Sequence, residues 1–358
     1  MALKGRESHF FLGANTPRGF YSYYDYLISQ ENARKIYCIK GGPGTGKSTF
    51  MKKIAMEVIK KGADVEYAHC SSDPDSLDGI IIKPCNIAFV DGTSPHIVDP
   101  KTPGAVDTIL HLGSCWRSEE IARHKEAIMR TKSKISECFE FAYRHLGAAR
   151  LLQENIDETS RKSLNGNAHS LFLEDIMFKE FAEIPVSHTR GDVRKLFASG
   201  ITPKGIINFS DTVLKGYKTY ILKGYCGKCL DEICNIAVSR GFDAECYYCP
   251  FYPDEKIDYL LIPKLNLAFS VSNKYHSFED GDVVDFNEFA SKYMLETYRE
   301  ERAFSQNQVD ALINHAVESI QKAKKYHDEL EQYYIPAMDF EKIDMLFEKT
   351  MQEVLEFI

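Results

Sequence analysis

Glycine, lysine and serine residues near the start of the chain have a spacing that can hold phosphate groups. Residues 40–50 read KGGPGTGKSTF, which fits G-x-x-x-x-G-K-[ST] with Gly41, Gly46, Lys47 and Ser48 at the fixed positions. Such glycines let backbone N–H groups converge on phosphate oxygens, and a helix that follows adds positive potential at its N-terminus. We expect Lys47 to reach the β- and γ-phosphates of a nucleotide and Ser48 to bind Mg²⁺.

The residues around this phosphate loop (residues 41–48) have the pattern that such a site needs. Residues 36–39 form a short apolar run typical of a buried strand, and apolar residues recur at helical spacing through 51–59 before Gly62. A chance glycine-rich turn is the competing explanation, and the flanking strand and helix disfavour it. We therefore expect ATP to be bound by the backbone and side chains of Gly41, Gly42, Pro43, Gly44, Thr45, Gly46, Lys47, Ser48 and Thr49.

A second apolar segment ends in an aspartate that can bind Mg²⁺. Residues 86–91 read NIAFVD, which predicts a strand with Asp91 at its carboxyl end, where it would hold Mg²⁺ directly or through water. The alternative is a structural turn, since Asp-Gly pairs are common in turns. No glutamate follows Asp91, so the group that activates water or an acceptor hydroxyl must lie elsewhere.

Candidates for that group follow another predicted strand, residues 65–70. Ligands of open α/β sheets gather at the carboxyl ends of strands, where Asp73 and Asp75 are expected to lie. His69 and His96 are further candidates. Acidic residues beside proline are also ordinary turn residues, so a structural role for both aspartates stays open.

The chain also matches itself. Thr16-Pro17-Arg18-Gly19 corresponds to Thr202-Pro203-Lys204-Gly205, residues 37–41 (YCIKG) correspond to 220–224 (YILKG), and the matches keep one order over about ninety residues. This pattern predicts an internal duplication. We expect a first core at residues 1–117, a helical arm at 118–160, a second core at 161–287 and a C-terminal helical arm at 288–358.

The second copy is expected to be degenerate. Its loop, KGYCGKC at residues 223–229, is shorter than the first, Lys228 corresponds to Lys47, and Cys229 replaces Ser48. A thiol is a poor Mg²⁺ ligand, and Val271 or Ser272 stands where Asp91 stands. Two Cys-x-x-Cys pairs, at 226–229 and 246–249, have zinc-like spacing, although the repeat places one pair along a strand, where it would chelate poorly.

Two stretches predict long helices. In residues 118–157, apolar residues recur every seven positions, as in a coiled-coil seam. Residues 287–334 are also helix-rich, and 340–358 predict a last amphipathic helix. These helices would join the halves, form a homodimer seam, or act as an arm that binds a protein partner. Residues 160–169 are polar and predict a loop between the halves.

Residues 41–49 resemble the Walker A motif of the P-loop NTPase superfamily, and GGPGTGKST is similar to AAA-type and kinase-type loops. The chain, including TPRG, HCSSDPDSLDG, VDGTSPH and VDPKTPGAVD, resembles a bacterial family of tandem P-loop ATPase- and nucleotide-kinase-like proteins. This resemblance implies a duplicated α/β fold of αβα sandwiches that binds ATP, with Thr49 near the α-phosphate. It names no acceptor substrate. The missing acid after Asp91 departs from the AAA pattern.

Composition excludes several classes of function. The net charge of −8 and the lack of Lys/Arg runs give no indication of nucleic-acid binding. No stretch of ~18 apolar residues predicts a membrane span, and no apolar leader begins the chain. We expect a cytoplasmic protein with ten reduced cysteines. Three functions stay open: an ATPase, a small-molecule or nucleotide kinase with Asp73 or Asp75 as base, and a nucleotide sensor without turnover.

Overall fold

The structure, a computed structural model, describes residues 4–93 and 97–358. Within these residues the chain is a mixed α/β protein with two six-stranded mixed sheets. The elements up to the first long helix are β1 (Glu7–Phe11), β2 (Gly13–Thr16), β3 (Gly19–Ser22), β4 (Lys35–Lys40), α1 (Lys47–Lys60), β5 (Val65–Cys70), β6 (Asp73–Ile82), β7 (Ile87–Asp91), β8 (Asp107–His111), α2 (Ser118–Ala122) and α3 (Lys125–Ser163).

The remaining elements follow a similar order. They are α4 (Ala168–Ile176), β9 (Val193–Leu196), β10 (Ser199–Thr202), β11 (Gly205–Asn208), α5 (Ser210–Val213), β12 (Lys218–Lys223), α6 (Cys229–Ser239), β13 (Ala244–Tyr248), β14 (Ile257–Ile262), β15 (Leu267–Ser272), β16 (Asp282–Asp285), α7 (Lys292–Thr297), α8 (Arg299–Tyr334) and α9 (Phe340–Leu355). Short 3₁₀ turns lie at Tyr24–Tyr26, Lys83–Cys85, Leu112–Cys115, Pro263–Leu265, Phe286–Phe289 and Ile335–Ala337, and a π-helical turn at Met177–Phe181.

The first sheet has the order β1-β5-β6-β7-β4-β8, and only β6 runs opposite to the other strands. The parallel strands therefore end at one edge. Ile39 of β4 pairs with Asp91 of β7, so the phosphate loop and Asp91 leave neighbouring strands side by side. The strands predicted at 36–39 and 65–70 are confirmed. Asn86 lies outside β7 in a left-handed turn (φ 52°), which corrects the start of the strand predicted at 86–91.

The second sheet has the equivalent order, β9-β13-β14-β15-β12-β16, with equivalent strand directions. Tyr37 stacks on Phe89 in the first sheet, and Tyr220 stacks on Phe269 in the second. Leu222 pairs with Val271 as Ile39 pairs with Asp91. Val271 rather than Ser272 therefore occupies the position that corresponds to Asp91.

The two sheets share a central core. One face of the first sheet packs against α1 and α9, and one face of the second packs against α4 and α6. The opposite faces contribute to a common cluster that includes Ile36, Val90, Tyr247 and Leu261. This arrangement corrects the expected αβα layering, because each sheet has helices on one face and the shared core on the other. Continuous apolar runs such as residues 36–39 require cover on both faces of the sheet but do not specify what provides it.

The long helices α3 and α8 pack against one another. Ile128, Ala142 and Ala149, three positions of the predicted seven-residue repeat, are buried between them and the neighbouring elements. The polar loop predicted at 160–169 is wrong in part, since α3 continues to Ser163. Ser160 and Ser163 donate hydrogen bonds to the carbonyls of Ile156 and Thr159 one turn earlier, which satisfies their hydroxyls within the helix.

Within the described residues, no helix combines the length and the apolar character needed to cross a membrane.

Candidate functional site

The phosphate loop connects the end of β4 to the first turn of α1. Gly46 precedes α1 in a left-handed conformation (φ 83°), which favours glycine because it has no Cβ. Thr45 is buried, and its hydroxyl donates a 2.9 Å hydrogen bond to the Gly42 carbonyl. A strand, a glycine-rich turn and a helix start are thus placed as phosphate binding by backbone amides requires.

Lys47 faces back into the loop and toward Asp91. Its ammonium donates to the carbonyls of Gly41 (3.1 Å) and Gly42 (2.9 Å) and lies 3.5 Å from Asp91 Oδ2. The two side chains are only 12% and 15% exposed, so their attraction is less screened than that of a surface pair. The structure therefore brings together two residues that are 44 positions apart in the sequence and were predicted to share one site.

Ser48 and Asp91 supply hard oxygen atoms at this edge of the sheet. Ser48 Oγ accepts a 3.0 Å hydrogen bond from the Leu77 amide of β6, while the backbone amide of Thr93 donates to Asp91 Oδ1 at 2.9 Å. A hydroxyl and a carboxylate fit Mg²⁺, which prefers oxygen ligands and keeps several waters. Thr49 is exposed on the first turn of α1.

Asp73 and Asp75 lie at the start of β6, at the same edge of the sheet, and each is close to a lysine from the second half of the chain. Lys324 Nζ of α8 lies 3.6 Å from Asp73 Oδ2, which also accepts a 2.8 Å hydrogen bond from Ser76. Lys204 Nζ lies 2.6 Å from Asp75 Oδ2. These contacts compete with a role for either carboxylate as a proton acceptor, because a bound ammonium stabilises the ionised form.

His69 is near this edge, but both of its ring nitrogens have partners. Nε2 lies 2.9 Å from His9 Nδ1, and Nδ1 lies 2.8 Å from the Pro74 carbonyl. The ring also stacks on Phe209 at a centroid distance of 4.7 Å. His69 therefore has a packing role in this arrangement. His96 lies outside the described residues.

Burial of His69 predicts acid-sensitive stability. Burial lowers the pKa of His69 from 6.5 to about 4, so protonation favours the unfolded chain, and stability should fall as the pH drops from 6.5 to 4. This shift corresponds to about 3 kcal/mol. The free energy of unfolding, measured with urea, should therefore depend less on pH in this window for His69→Phe than for the unmodified protein. The change His188→Phe, at an exposed histidine, should leave the pH dependence unaltered. An unaltered slope in His69→Phe would contradict this assignment.

The C-terminal end of α8 covers the phosphate loop, and the sequence did not predict this contact. A methyl group on Gly44 would lie 2.7 Å from Ile335 Cγ1 and 3.4 Å from Glu331 Cβ, and one on Gly42 would lie 3.1 Å from both Trp116 and Tyr334. The second half of the chain thus contributes directly to the walls of the site. No sequence signal indicates this pairing, because contacts between distant segments do not alter local periodicity.

The second loop, residues 223–229, is covered differently. A methyl group on Gly227 would lie 2.8 Å from His169 Cε1, and one on Gly224 would lie 2.8 Å from Asn287 Oδ1. Cys229 is the first residue of α6. Within residues 4–93 and 97–358, the one group of three or more potential metal ligands consists of His327, Asp328 and Glu331, so the four cysteines of the zinc alternative do not converge on a common point.

Comparisons with protein-family models, curated proteins and solved structures gave no match.

Proposed function

We propose that the protein binds Mg-ATP at the phosphate loop and hydrolyses it. The observation that carries this proposal is the position of Lys47 between the loop carbonyls of Gly41 and Gly42 and the Asp91 carboxylate, at the start of a helix that follows a glycine-rich turn. An ammonium at this point neutralises the β- and γ-phosphates, and the N–H groups of the loop and of the first turn of α1 bind their oxygens.

The proposal assigns the metal to Ser48 and Asp91. When bound, Mg²⁺ would neutralise charge that develops on the β- and γ-phosphate oxygens. The protein's own contribution is to orient the triphosphate through the loop amides and to hold Asp91 in place through its contacts with Thr93. The loop is also partly covered by Trp116 and the end of α8, which would restrict water around the nucleotide.

We further infer that the chain is a duplicated P-loop NTPase with one active half and one degenerate half. The equivalent strand orders, the equivalent register of β4–β7 and β12–β15, and the two stacked Tyr–Phe pairs support a common origin of the halves. Val271 and Cys229 replace the two proposed Mg²⁺ ligands of the first half, which favours nucleotide turnover in that half alone.

The test is to incubate the protein with ATP and Mg²⁺, with and without a metabolite extract, and to measure ADP and free phosphate separately. An ATPase releases both products from ATP and Mg²⁺ alone. A kinase forms ADP only when the extract provides an acceptor, and a sensor binds ATP without forming ADP. Equal release of ADP and phosphate without extract is the expected result, and either other pattern would overturn hydrolysis as the reaction.

The variant Asp91→Asn tests, in the same assay, whether Asp91 binds Mg²⁺. Because the amide lacks the negative charge that attracts the metal, we expect activity at limiting Mg²⁺ to fall roughly 10–100-fold. Excess Mg²⁺ should restore part of the activity. The exposed Asp282→Asn is the matched control and should behave as the unmodified protein. If the activity of Asp91→Asn depends on Mg²⁺ as that of the unmodified protein does, Asp91 does not bind the metal.

A further inference from the structure

One face of the last turns of α8 is directed at the phosphate loop. Lys324, His327, Glu331 and Tyr334 are spaced by three, four and three residues, so they share one side of the helix. Lys324 lies close to Asp73 at the start of β6 at one end of this face. At the other end, Tyr334 and Glu331 lie where a methyl group added to Gly42 or Gly44 would meet them. We call these four residues the α8 face.

His327 lies in the middle of the α8 face beside a carboxylate. Its Nδ1 is 3.7 Å from Oε1 of Glu331, four residues later on the same helix. Within residues 4–93 and 97–358, the structure gives Nε2 of this histidine no hydrogen-bond partner. A carboxylate next to one ring nitrogen favours the tautomer with its proton there, which leaves the other nitrogen able to accept a proton.

The charges around His327 come from two elements. Burial lowers the pKa of His327 below 6.5, and Lys324 lowers it further, whereas Glu331, Asp328 and Asp73 raise it. The imidazole is therefore mainly neutral at pH 7, the form that accepts a proton.

The acids and the histidine that the sequence indicated at this edge of the sheet, among the described residues, are engaged. Asp73 and Asp75 are close to lysines, Asp91 binds Thr93 and lies near Lys47, and His69 uses both ring nitrogens. His327 lies one helical turn before Glu331, which is near the loop at Gly44. These contacts favour a base supplied by the second half.

We propose that His327 is the proton acceptor for the water that attacks the γ-phosphate, with Glu331 as the positioning residue. This inference rests on the proposed ATP hydrolysis. The water oxygen forms a new bond to the γ-phosphorus, the bond to the β,γ-bridging oxygen breaks, and its electron pair leaves with ADP. The water proton passes to Nε2 of His327 and from there to solvent, so that ADP and phosphate are the products.

The experiment measures Mg-ATP binding and steady-state turnover of the full chain from pH 5 to 9. We expect His327→Gln to lower kcat about a hundredfold, because general base catalysis contributes roughly 10²–10⁴-fold, with nucleotide Kd within about threefold. The acid limb of the wild-type pH profile should disappear in this variant. Glu331→Gln should lower kcat less and move the acid limb to lower pH, because it removes a negative charge that raises the pKa of His327.

The matched control is His315→Gln, which alters an exposed histidine on the same helix, 3.2 Å from Glu318. It should leave both turnover and its pH profile unchanged. Wild-type turnover by His327→Gln, or a retained acid limb, would overturn this inference while leaving ATP hydrolysis intact. If the unmodified chain neither binds nor hydrolyses Mg-ATP, the proposed function itself fails, and this inference fails with it.

Discussion

Lys47→Ala is expected to lower the rate of ATP hydrolysis about a hundred- to a thousandfold, the loss typical when one group that stabilises transition-state charge is removed. The ammonium of Lys47 is the cation closest to the loop carbonyls in the described structure, and alanine leaves no charge to neutralise the β- and γ-phosphates. The change should be measured as ADP formation at saturating Mg²⁺, together with nucleotide affinity. We expect affinity to fall as well, because the same charge binds the ground state.

Lys228→Ala is the matched control for this change. Lys228 corresponds to Lys47 in the second copy, but it is exposed and precedes α6 in a loop that lacks the glycine spacing of the first. We expect turnover within about twofold of the unmodified protein, the range of an uncoupled surface change. A loss as large as that of Lys47→Ala would mean that the second half is a working site.

Arg194→Ala is expected to lower the free energy of unfolding by about 3–5 kcal/mol, the cost of breaking a buried ion pair on one side. Arg194 joins the two sheets, since its guanidinium lies 2.8 Å from Glu66 of β5 and 3.2 Å from Glu245 of β13. It also donates to the carbonyls of Tyr26 and Leu27 at 3.0 Å. Its removal would leave Glu66 and Glu245 without their shared cation and two carbonyls without this donor, although Lys83 still lies 2.9 Å from Glu66.

Urea unfolding of this variant should be compared with that of Arg161→Ala, which removes an exposed pair with Glu158 and should cost no more than ~1 kcal/mol. The free energy of unfolding should fall less in an Arg194→Ala, Glu245→Gln double variant, because the unpaired negative charge of Glu245 is removed as well. A loss below ~1 kcal/mol for Arg194→Ala would show that the sheets do not depend on this bridge. Burial opposes ionisation of Glu66, but Arg194 and Lys83 hold its pKa at about 2, so this contribution is lost as the pH falls from 4.5 to about 2.

Local patterns predicted the elements that carry the site. The strand at 36–39, the helix that follows the phosphate loop and the strand at 65–70 were readable because apolar periodicity and glycine position are local properties. Asp73, Pro74 and Asp75 resemble a turn, yet they begin β6, because pairing with β5 overrides their low strand propensity. The polar residues after 160 also resembled a loop. They are helical up to Ser163, because the hydroxyls of Ser160 and Ser163 donate to carbonyls within α3.

The contacts between the halves could not be predicted in the same way. The internal repeat indicated that two similar units exist, but nothing in the spacing of Lys324, Glu331 or Tyr334 distinguishes the α8 face from any other polar helix face. The structure places Lys324 and Lys204, both from the second half, next to the acids of β6. Such pairings depend on how the cores and the long helices pack, which is a tertiary property.

The most direct measurement is calorimetric titration of the full chain with a non-hydrolysable Mg-ATP analogue, repeated with Lys47→Ala. Trp116, the single tryptophan of the sequence, lies beside Gly42 and allows fluorescence to follow the same titration. We predict one binding site per chain, a change in tryptophan emission on saturation, and loss of binding in the variant. Absence of binding to the unmodified protein, or equal binding by Lys47→Ala, would contradict a nucleotide site at residues 41–48.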